Sequence, residues 1–478
     1  MVNKMPYKDI RDFVAKLEEA GELRRIKSEV NWYLELNHIA KLNEEQSGPA
    51  LLFENVKGYT SPVLTSAITT TSRLAIALDM PKTSSLIQLI KEWVERTKPE
   101  KLLPPKWIKE SKAPCKENVD EGNKVDLTKF PIPHLYPRDG GRYITTGCTI
   151  TKDPETGWVN IGTYRIQLQD KQTLGTNYII GKHAEIMLRK YAERKEPMPV
   201  AVCIGVDPAI FLVSSSRIPP ERSEYDYAGA LRGEPVEVVK GETVDLPVPA
   251  TAEIVIEGEV DASALKDEGP FGEYTGYYSG LGAVKRPYMK VNCVTYRNNP
   301  IFWHTTVGKP VTEQHMILSL THTAALWSEL EEMRIPGLKA VYCPPEACGR
   351  FVAIISIKQM YPGHSMQVGT AAISTEMGHY GLKTVIVVDD DIDPTNLSQV
   401  LWALAVRFQP YRGSEIIKRG RSTPLDPSLP IDPEARLITS RIIIDATIPY
   451  EWKQKPILVE LDKSIVERVK SRWKELFP

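Results

Sequence analysis

The sequence predicts an α/β protein with an α+β multidomain architecture, and three regional patterns indicate this class. The N-terminal region combines amphipathic helical spacing with short extended stretches. The middle of the chain is mostly β, with strand patterns separated by Gly, Pro and Asp turns. After Val307, helices alternate with apolar strands, as in a largely buried sheet. We therefore expect an N-terminal α/β domain, a central β-rich barrel or split barrel, and a C-terminal α/β domain.

The N-terminal domain, residues 1–110, is predicted from two helices and two extended stretches. The first helix has apolar residues at helical spacing and can end at Gly21. Those apolar residues are Ile10, Phe13, Val14 and Leu17. Extended stretches follow at 23–30 and 50–56, and a second helical pattern spans 86–94. The Lys/Pro-rich stretch 98–114 then marks the first domain boundary.

The next two domains are predicted at 111–310 and 311–440. The central domain has one helix, 184–194, and strand patterns at 143–151, 158–168, 177–180, 200–204, 253–258 and 288–296. The C-terminal domain has helices at 314–333, 369–377 and 397–408, and strands at 340–342, 351–357 and 384–388. A proline-rich strap at 424–433 leads to a final segment, 441–478. We expect the helix of that segment, 465–476, to pack back on the chain.

Composition excludes several functional classes. The chain has 60 Lys+Arg against 61 Asp+Glu, a net charge of −1, and no long basic block. Binding to nucleic acid or to an anionic membrane surface needs concentrated cations, so neither partner is expected. The N-terminus is charged, no run of about 18 apolar residues occurs, and the six cysteines form no CxxC motif. These features predict a cytoplasmic protein with reduced cysteines.

Standard enzyme motifs are absent from the sequence. It contains no GxxxxGK[ST], no GxSxG, no HExxH and no protein-kinase set. GxGxxG is also missing, so a Rossmann dinucleotide site has no support. The chemistry must therefore come from less familiar clusters.

The densest such cluster is a loop with two glutamates, EGPFGEYTGYYSG at 268–280. Glu268 and Glu273 lie five residues apart on a backbone that two glycines and a proline keep out of regular structure. If the loop is buried, desolvation and mutual repulsion would raise one pKa, as a proton donor working near neutral pH requires. The alternative is a polar surface turn with two solvated glutamates.

A second cluster, WVNIGTYR at 158–165, places an arginine in a mostly apolar strand. Arg165 needs an anionic partner there, and the two glutamates could supply it while leaving room for a substrate carboxylate. Asn160 and Arg165 would face opposite sides of an unbroken strand. Both can serve one site only if a bulge or turn, which we place at Gly162, changes the face. The alternative for Arg165 is a structural salt bridge.

A third set combines a helix start, a serine run and cations, a pattern typical of a phosphate cradle. Its members are Lys182, His183, Ser214, Ser215, Ser216, Arg217 and Glu224. Asn160, His183 and Glu224 would make an oxygen and nitrogen site for Mn²⁺ or Mg²⁺ rather than a thiolate zinc site. The alternative is that His183 caps the helix or packs in the core.

Two further polar features are interpreted as structural. The aspartates at 389–393 follow an apolar strand and precede a proline, which is typical of a helix cap. His315 and His322 share a helix face but lack a third ligand at recognisable spacing. We expect both histidines to pack in the core or at an interface.

Taken together, the clusters resemble the UbiD-like decarboxylases, which use prenylated flavin mononucleotide (prenylated FMN). The resemblance covers essentially the full length and rests on five ordered segments: WVNIGTYR, GKH, SEYDYAGALRG, EGPFGEYTGYY and RIIIDATIPYEW. It implies an N-terminal α/β domain, a central split β-barrel-like cofactor domain and a C-terminal α/β oligomerisation domain. These agree with the three regions above.

The resemblance also implies roles for individual residues. The family's catalytic Glu-Arg-Glu set falls on Arg165, Glu268 and Glu273, with Glu273 as the acid that protonates the product carbon. The family's Asn, His and Glu ligands for manganese fall on Asn160, His183 and Glu224. A potassium ion found in some members would lie near Trp158, Ser214 and Ser216.

The implied cofactor-binding set includes two departures from the family pattern. Lys182 stands where some members have glutamine, and Arg441 stands where lysine is common. Both keep or add positive charge, so a contact to the cofactor phosphate is expected of each. The full implied set is Asn160, Arg165, Lys182, His183, Ser214, Ser215, Ser216, Arg217, Glu224 and Arg441.

By this resemblance the function is reversible, non-oxidative decarboxylation of an aromatic or heteroaromatic carboxylic acid. A flavin prenyltransferase of the UbiX type would supply the cofactor, and the family forms homodimers and homohexamers. The alternatives are a carboxylase acting on a phenol, phenyl phosphate or a furan-type substrate, a non-catalytic cofactor-binding subunit, and a metal-dependent hydrolase. Trp303 and His304 are candidates for the substrate pocket, with packing under the barrel as the other possibility.

Overall fold

The computed structural model describes residues 7–430 and 437–477, so part of the predicted strap at 424–433 lies outside the described residues. Its helices are α1 (Ile10–Glu19), α2 (Glu35–Glu45), α3 (Thr71–Ala77), α4 (Leu86–Arg96), α5 (His183–Arg194), α6 (Pro208–Ser214), α7 (Glu224–Arg232), α8 (Glu313–Glu332), α9 (His364–Ser374), α10 (Leu397–Val406), α11 (Pro410–Gly413), α12 (Lys463–Ser471) and α13 (Trp473–Leu476).

The strands group into several sheets along the chain. They are β1 (Leu23–Ile26), β2 (Ala50–Phe53), β3 (Val63–Thr65), β4 (Lys106–Trp107), β5 (Asn118–Glu121), β6 (Arg142–Ile144), β7 (Cys148–Lys152), β8 (Val159–Thr163), β9 (Ile166–Leu168), β10 (Thr173–Thr176), β11 (Met198–Ile204), β12 (Glu237–Lys240), β13 (Pro247–Pro249), β14 (Ile254–Glu268), β15 (Val284–Tyr296), β16 (Phe302–Trp303), β17 (Leu338–Tyr342), β18 (Val352–Ile357), β19 (Thr384–Asp389), β20 (Ser414–Arg421) and β21 (Ile438–Ala446).

The N-terminal layer is a small mixed sheet in the order β1-β2-β3-β16. Helix α1 buries the four apolar residues predicted to form its inner face, and Asp9 caps its N-terminus. The last strand of this sheet, β16, comes from far along the chain and pairs in parallel with β3. Residues 302–303 therefore belong to the N-terminal sheet, although the sequence predicted them in the central domain.

The central region is a curled antiparallel sheet in the order β6-β9-β10-β15-β14-β11-β7-β8, with β5 paired to β15. Its two longest strands, β14 and β15, shift register at Glu257/Gly258 and again at Val260/Leu265. Such irregularities bend strands and increase their twist, which lets the sheet curl. The predicted strands 143–151 and 158–168 are each two strands here, and 177–180 lies beyond the end of β10.

The C-terminal region has a sheet in the order β17-β18-β19-β21-β20. Its three inner strands are parallel, and an antiparallel strand closes each edge. Strands β18 and β19 are mostly apolar, as is typical of buried parallel strands, whereas β21 also carries Arg441 and Asp445. The predicted boundary between 440 and 441 is wrong, since it divides β21, an inner strand of this sheet.

The end of the chain also differs from its prediction. Helices α12 and α13 have no buried residue. Apolar side chains in and before them, including Ile457, Val459, Leu461 and Trp473, are exposed. The final helix therefore does not pack back on its own chain.

All six cysteines are free and buried, in agreement with the prediction of reduced thiols. Burial is the most common state of a free cysteine. In the described part of the chain, no helix is both long enough and apolar enough to cross a membrane.

Candidate active site

The centre of the candidate site is an arginine at a break between two strands. Strand β8 ends at Thr163 and β9 begins at Ile166, so Arg165 lies in the turn between them. This turn changes the side-chain face that strand parity would otherwise impose. The break lies two residues beyond the predicted position, Gly162. That glycine is covered by the Tyr164 ring, which a Cβ at Gly162 would meet at 2.4 Å.

Both predicted glutamates contact this arginine. Glu268, the last residue of β14, accepts hydrogen bonds from Arg165 Nε at 2.9 Å and Nη2 at 2.7 Å. Glu273 accepts from Nη1, which also donates to Ser279 Oγ at 3.0 Å. With its amide oriented to accept, Asn177 contributes an oxygen at 3.0 Å from Nε and 3.1 Å from Nη2. The guanidinium is thus held in one orientation between two carboxylates.

The loop that carries Glu273 is fixed by backbone contacts. Gly272 N donates to Asp139 Oδ1 at 2.8 Å, and Glu273 N donates to the Tyr277 carbonyl at 3.0 Å. Gly276, with φ of +84°, closes the turn by donating its N–H to the Glu273 carbonyl. The Glu273 carboxylate is therefore placed by an ordered turn and not by a long mobile loop.

Burial has a large effect on the electrostatics of the two glutamates and the arginine. Glu268 is 2% exposed and Glu273 is 7% exposed, so neither is a solvated surface glutamate. Desolvation raises the pKa of Glu273, although the charge of Arg165 opposes the shift. Burial also acts against the charge of Arg165, but Glu273 and Glu268 outweigh it and raise its pKa. The arginine stays charged, and burial shifts Glu273 toward its protonated form.

The predicted metal ligands come together on the same side of the curled sheet. His183, the first residue of α5, has Nδ1 3.0 Å from Asn160 Oδ1. Glu224, the first residue of α7, accepts from Ile161 N at 2.7 Å, next to Asn160 in β8. Burial raises the pKa of Glu224 to about 8, and burial with the charge of Lys182 lowers the pKa of His183 to about 4.

Burial is the main cause of both pKa shifts, and the lowered pKa of His183 leaves its imidazole neutral near neutral pH. A buried carboxylate, an amide oxygen and a neutral imidazole are donors suited to a divalent cation such as Mn²⁺. The described residues contain no group of three or more His, Cys, Asp or Glu side chains placed to hold a metal. The trio qualifies as a candidate only because Asn160 supplies the third donor.

Cations converge on a tyrosine at the other end of the site. The ring centroid of Tyr380 lies 5.7 Å from Lys182 Nζ, 5.1 Å from the Arg217 guanidinium, 5.6 Å from that of Arg350 and 4.9 Å from that of Arg421. Burial, together with these arginines, lowers the pKa of Lys182 well below its ordinary value. The Tyr380 hydroxyl is buried without a hydrogen-bond partner among the described residues. Like charges around an unpartnered hydroxyl fit a polyanion such as a phosphate.

The central tyrosine of this cluster and two of the arginines around it were not identified from the sequence. Arg350, Tyr380 and Arg421 come from separate segments of the C-terminal region, and no motif joins them. Arg421 approaches the backbone so closely that a Cβ at Gly181 would meet its Nη2 at 2.4 Å. The glycine before Lys182 in the GKH segment was the one available signal, because it leaves room for another chain segment.

One cavity connects the Arg165 group, the predicted metal ligands and the cation cluster. Its volume is about 490 Å³, within the range of cofactor sites. The predicted residues that line it are Asn160, Arg165, Lys182, His183, Ser214, Ser215, Ser216, Arg217, Glu224 and Glu273. Glu268 is not a lining residue and lies behind Arg165. The serines stand at the C-terminal end of α6, where Thr163 Oγ1 is 2.7 Å from Ser214 Oγ.

The predicted substrate-pocket residues do not line this cavity. Trp303 is fully buried in β16 of the N-terminal sheet, with its ring 4.6 Å from that of Phe211. His304 is fully buried between Thr145 Oγ1, at 3.0 Å, and Asn37 Oδ1, at 3.2 Å, and burial lowers its pKa to about 3. Neither residue is placed to contact a substrate, and both are packed in the core, which was the other possibility for them.

Arg441 was predicted to contact the cofactor phosphate, but its position in the structure is different. Its guanidinium donates to four backbone carbonyls, those of Ile373, Gly378, His379 and Arg421. With its donors used in this way it ties β21 to neighbouring turns and does not line the cavity. Its predicted contact to a cofactor phosphate is therefore wrong.

Three further residues were interpreted from the sequence: Trp158, near a predicted potassium site, and two histidines of α8. Trp158 lines a separate cavity, and its ring lies 4.8 Å from that of His183 in an edge arrangement. The potassium site near Trp158 and the serines stays a prediction. His315 and His322 are fully buried in α8, so the interpretation of both as packing residues is confirmed.

Sequence comparison gives the class of protein that this fold and site belong to. Three domain models named for 3-octaprenyl-4-hydroxybenzoate carboxy-lyase match residues 14–93 (N-terminal domain), 106–310 (Rift-related domain) and 315–446 (C-terminal domain). An uncharacterised protein of Archaeoglobus fulgidus is 37% identical, with 99% of each chain covered. The protein described here is a member of the UbiD family of carboxy-lyases.

Solved structures agree with this assignment. Vanillic acid decarboxylase of Sedimentibacter hydroxybenzoicus, in its closed form, matches with a TM-score of 0.89 and 33% identity over 99% of each chain. The UbiD-class enzyme HmfF of Pelotomaculum thermopropionicum, in complex with FMN, matches with a TM-score of 0.85 and 32% identity over 96% of this chain and 98% of that one. An evolved dimeric form of HmfF was solved in complex with prenylated FMN. The predicted family, fold class and carboxy-lyase activity are thereby confirmed.

Proposed function

We propose that this protein is a prenylated-FMN-dependent decarboxylase of an aromatic or heteroaromatic carboxylic acid, and that its reaction is non-oxidative and reversible. One observation carries the proposal. A buried acid with a raised pKa, Glu273, contacts a fixed guanidinium, Arg165, in a cavity whose other end holds an excess of cations. Such a cavity can hold an anionic cofactor and a carboxylate substrate side by side.

Prenylated FMN, when bound, supplies the electron sink that loss of CO₂ from an sp² carbon requires. The residues of the chain supply binding, orientation and a proton. Glu268 accepts from Nε and Nη2, which form one edge of the Arg165 guanidinium, and Nη1 lies on the side of Glu273. Arg165 can then hold the substrate carboxylate through charge-assisted hydrogen bonds.

Glu273 is the proton donor in this proposal. Burial raises its pKa and so favours the protonated carboxyl, which a proton donor requires. After CO₂ leaves, the carboxyl delivers that proton to the vacated carbon. Arg165 then stabilises the glutamate that has become charged, until solvent restores the proton. In the reverse direction the same carboxylate would remove the proton.

The cofactor would be held at its phosphate end. Lys182 and Arg217 from the central region and Arg350 from the C-terminal region face that end of the cavity. Tyr380, whose ring these cations surround, lines the same end of the cavity. Asn160, His183 and Glu224 would hold Mn²⁺ or Mg²⁺, which would supply positive charge near the cofactor phosphate. Potassium near the serine run is part of the same proposal.

Expression with and without a flavin prenyltransferase tests this function. We expect co-expression with the prenyltransferase and Mn²⁺ to give protein that contains prenylated FMN, seen by absorbance and by mass of the released cofactor. Such protein should release CO₂ from members of a panel of aromatic acids. Folded protein without flavin, or full activity from a host that lacks the prenyltransferase, would contradict the proposal.

A substitution in the metal trio tests how the phosphate end is held. His183→Ala should lose metal and flavin together, because removing one of three ligands weakens a site that bridges to the phosphate. Metal analysis and flavin absorbance per chain measure both losses. His38→Ala, the same substitution at an exposed position of α2, serves as control and should retain both. Full occupancy of metal and flavin in His183→Ala would exclude His183 as a metal ligand.

We also propose a homodimer or homohexamer in the cytoplasm. The exposed apolar residues at 457–461 and the unburied helices α12 and α13 support an oligomer, since a second copy could cover them. Helix α10 adds exposed Leu401, Trp402 and Val406 on the same domain. Light scattering of the full chain measures the state. The six reduced cysteines support the location.

A further inference from the structure

The loop that carries the proposed proton donor is held by a second segment, residues 136–140, which does not line the cavity. Gly140 N donates a hydrogen bond to the Pro270 carbonyl at 2.8 Å. Arg138 N donates to the Tyr278 hydroxyl at 3.1 Å. These two contacts lie on either side of the acid in the sequence, so the segment holds the loop before and after it.

Asp139 makes the contact nearest to the acid. Its Oδ1 accepts a hydrogen bond from Gly272 N at 2.8 Å, and its Oδ2 accepts from Tyr136 N at 3.0 Å. Gly272 directly precedes the acid. On the other side of the acid, the Tyr274 carbonyl accepts from His315 Nε2 at 2.5 Å. The acid is thus fixed through the backbone of both of its neighbours.

The fit between the segment and the loop is close. A Cβ at Gly272 would meet Cδ2 of Tyr136 at 2.8 Å, so the loop backbone lies directly on this ring. The ring is anchored in turn, because its hydroxyl donates to the Val307 carbonyl at 2.6 Å. Glycine is needed at position 272 because a side chain would push the loop off the ring.

The contacts of Asp139 require a carboxylate. The residue is 7% exposed, and each of its oxygens accepts from a backbone N–H. An amide of the same shape could accept with one oxygen only, and its NH₂ group would face the other N–H. Burial raises the pKa of Asp139 to about 6, although the N–H groups of Gly272 and Tyr136 oppose the shift. Asp139 is therefore charged near neutral pH.

The charge of Asp139 also acts on the acid. Burial is the largest cause of the raised pKa of Glu273, and the charge of Arg165 opposes it. The charges of Glu268 and Asp139 add to the upward shift. Further titratable neighbours of Asp139 are phenols whose pKa values are raised by burial and which are neutral, those of Tyr136, Tyr143 and Tyr278.

We propose that Asp139 is a positioning residue for the decarboxylation, which holds the Gly272 backbone so that Glu273 stays in contact with Arg165. This inference rests on the proposed function, since that function assigns the acid role to Glu273. Asp139 does not line the cavity, so it acts through the loop and through its charge. Its loss should change the rate of proton transfer and leave ligand binding as it is.

The test is Asp139→Asn in the flavin-loaded holoenzyme. We expect kcat to fall roughly 10–100-fold, because a small misplacement of a catalytic group has effects of this size. KM, flavin content and metal content should stay as in the wild type. The fall of the rate at high pH should begin at lower pH, because a negative charge near Glu273 has been removed. Loss of flavin or metal together with kcat would overturn the inference.

Asp9→Asn is the matched control. Asp9 is also buried, and it accepts from the backbone N–H groups of Arg11 and Asp12 at the start of α1. The variant should lose stability, as removal of a helix cap predicts, but keep the kcat and the pH profile of the wild type.

Gly272→Ala tests the position of the loop without changing a charge. Its Cβ would displace the loop from the Tyr136 ring, so kcat should fall in this variant too. The comparison decides the question even if Asp139→Asn does not fold. Wild-type kcat in Gly272→Ala, or in folded Asp139→Asn, would refute a positioning role for Asp139.

Infrared titration of the Glu273 carboxyl separates this inference from the proposed function. The band is measured in flavin-loaded protein without substrate and is assigned by its loss in Glu273→Gln. Its midpoint should lie at lower pH in Asp139→Asn than in the wild type. If the wild type turns over no aromatic acid, the proposed function fails, but the midpoint still decides whether Asp139 acts on Glu273. An unchanged midpoint would contradict that action.

Discussion

Glu273→Gln is expected to lower turnover by roughly 10²–10⁴-fold while flavin and metal stay bound, because general-acid catalysis contributes about this much. Glutamine has nearly the same shape and can still accept a hydrogen bond from Arg165, but it has no proton to deliver to carbon. Turnover is measured as CO₂ release, and cofactor content by absorbance per chain. Glu259→Gln, at an exposed position of β14, is the control and should behave as the wild type.

The pH profile gives this prediction a second readout. Burial raises the pKa of Glu273 above that of an ordinary glutamate, and the protonated form is the active one. The wild-type rate should hold its maximum below that pKa and fall as pH rises through it. The residual rate of Glu273→Gln should lack this limb, since an amide does not titrate. Wild-type turnover in the variant would remove Glu273 from the acid role.

Arg165→Met is expected to have the largest effect on stability, a loss of about 3–5 kcal/mol in the free energy of unfolding. The substitution removes the cation shared by two buried carboxylates, Glu268 and Glu273. Turnover should also be lost, since nothing else at this position fixes the substrate carboxylate. Urea unfolding measures the stability change. Arg25→Met, which breaks the exposed bridges to Glu18 and Glu54, is the control and should cost no more than about 1 kcal/mol.

The penalty in Arg165→Met should depend on pH. Without the guanidinium, burial acts on Glu273 unopposed, so its folded-state pKa rises further above the unfolded one. The variant then keeps its stability at low pH and loses it as pH rises through that raised value. The gap to the wild type should narrow toward pH ~4, where glutamates take up protons in either state. A gap that is constant with pH would mean that packing, and not charge, is responsible. Adding Glu268→Gln should recover part of the loss at neutral pH.

The sequence predicted the acid, arginine and metal-ligand residues of the site, but not the residues from the C-terminal region that complete the cavity lining. Glu268, Glu273 and Arg165 were predicted together because a cation in an apolar strand and two acids in a glycine-rich loop each need a partner. The metal trio rested on donor types and on the family resemblance. In contrast, Arg350 and Tyr380 meet the cavity only through the packing of the C-terminal region. No local spacing in the sequence connects them to a residue as distant as Lys182.

The wrong predictions share one physical cause, which is pairing between distant segments. Trp303 follows the long central strands in sequence, but its short strand pairs with β3 of the N-terminal sheet and carries the indole away from the cavity. Arg441 lies on an inner strand, and its Nη1 and Nη2 donate to backbone carbonyls of neighbouring segments. Strand periodicity predicts that such residues alternate faces, but not which sheet the strand joins.

The cation cluster around Tyr380 is assembled from two parts of the chain. Lys182 and Arg217 follow the curled sheet, and Arg350 and Arg421 belong to the C-terminal sheet region. Burial and the three mutually repelling arginines lower the pKa of Lys182, and Glu376 only partly offsets these charges, so this end of the cavity favours an anion. In the proposed holoenzyme, the cofactor phosphate would be a counterion shared by the central and C-terminal regions. Its binding would then depend on charge balance across a domain boundary, and not on any single contact.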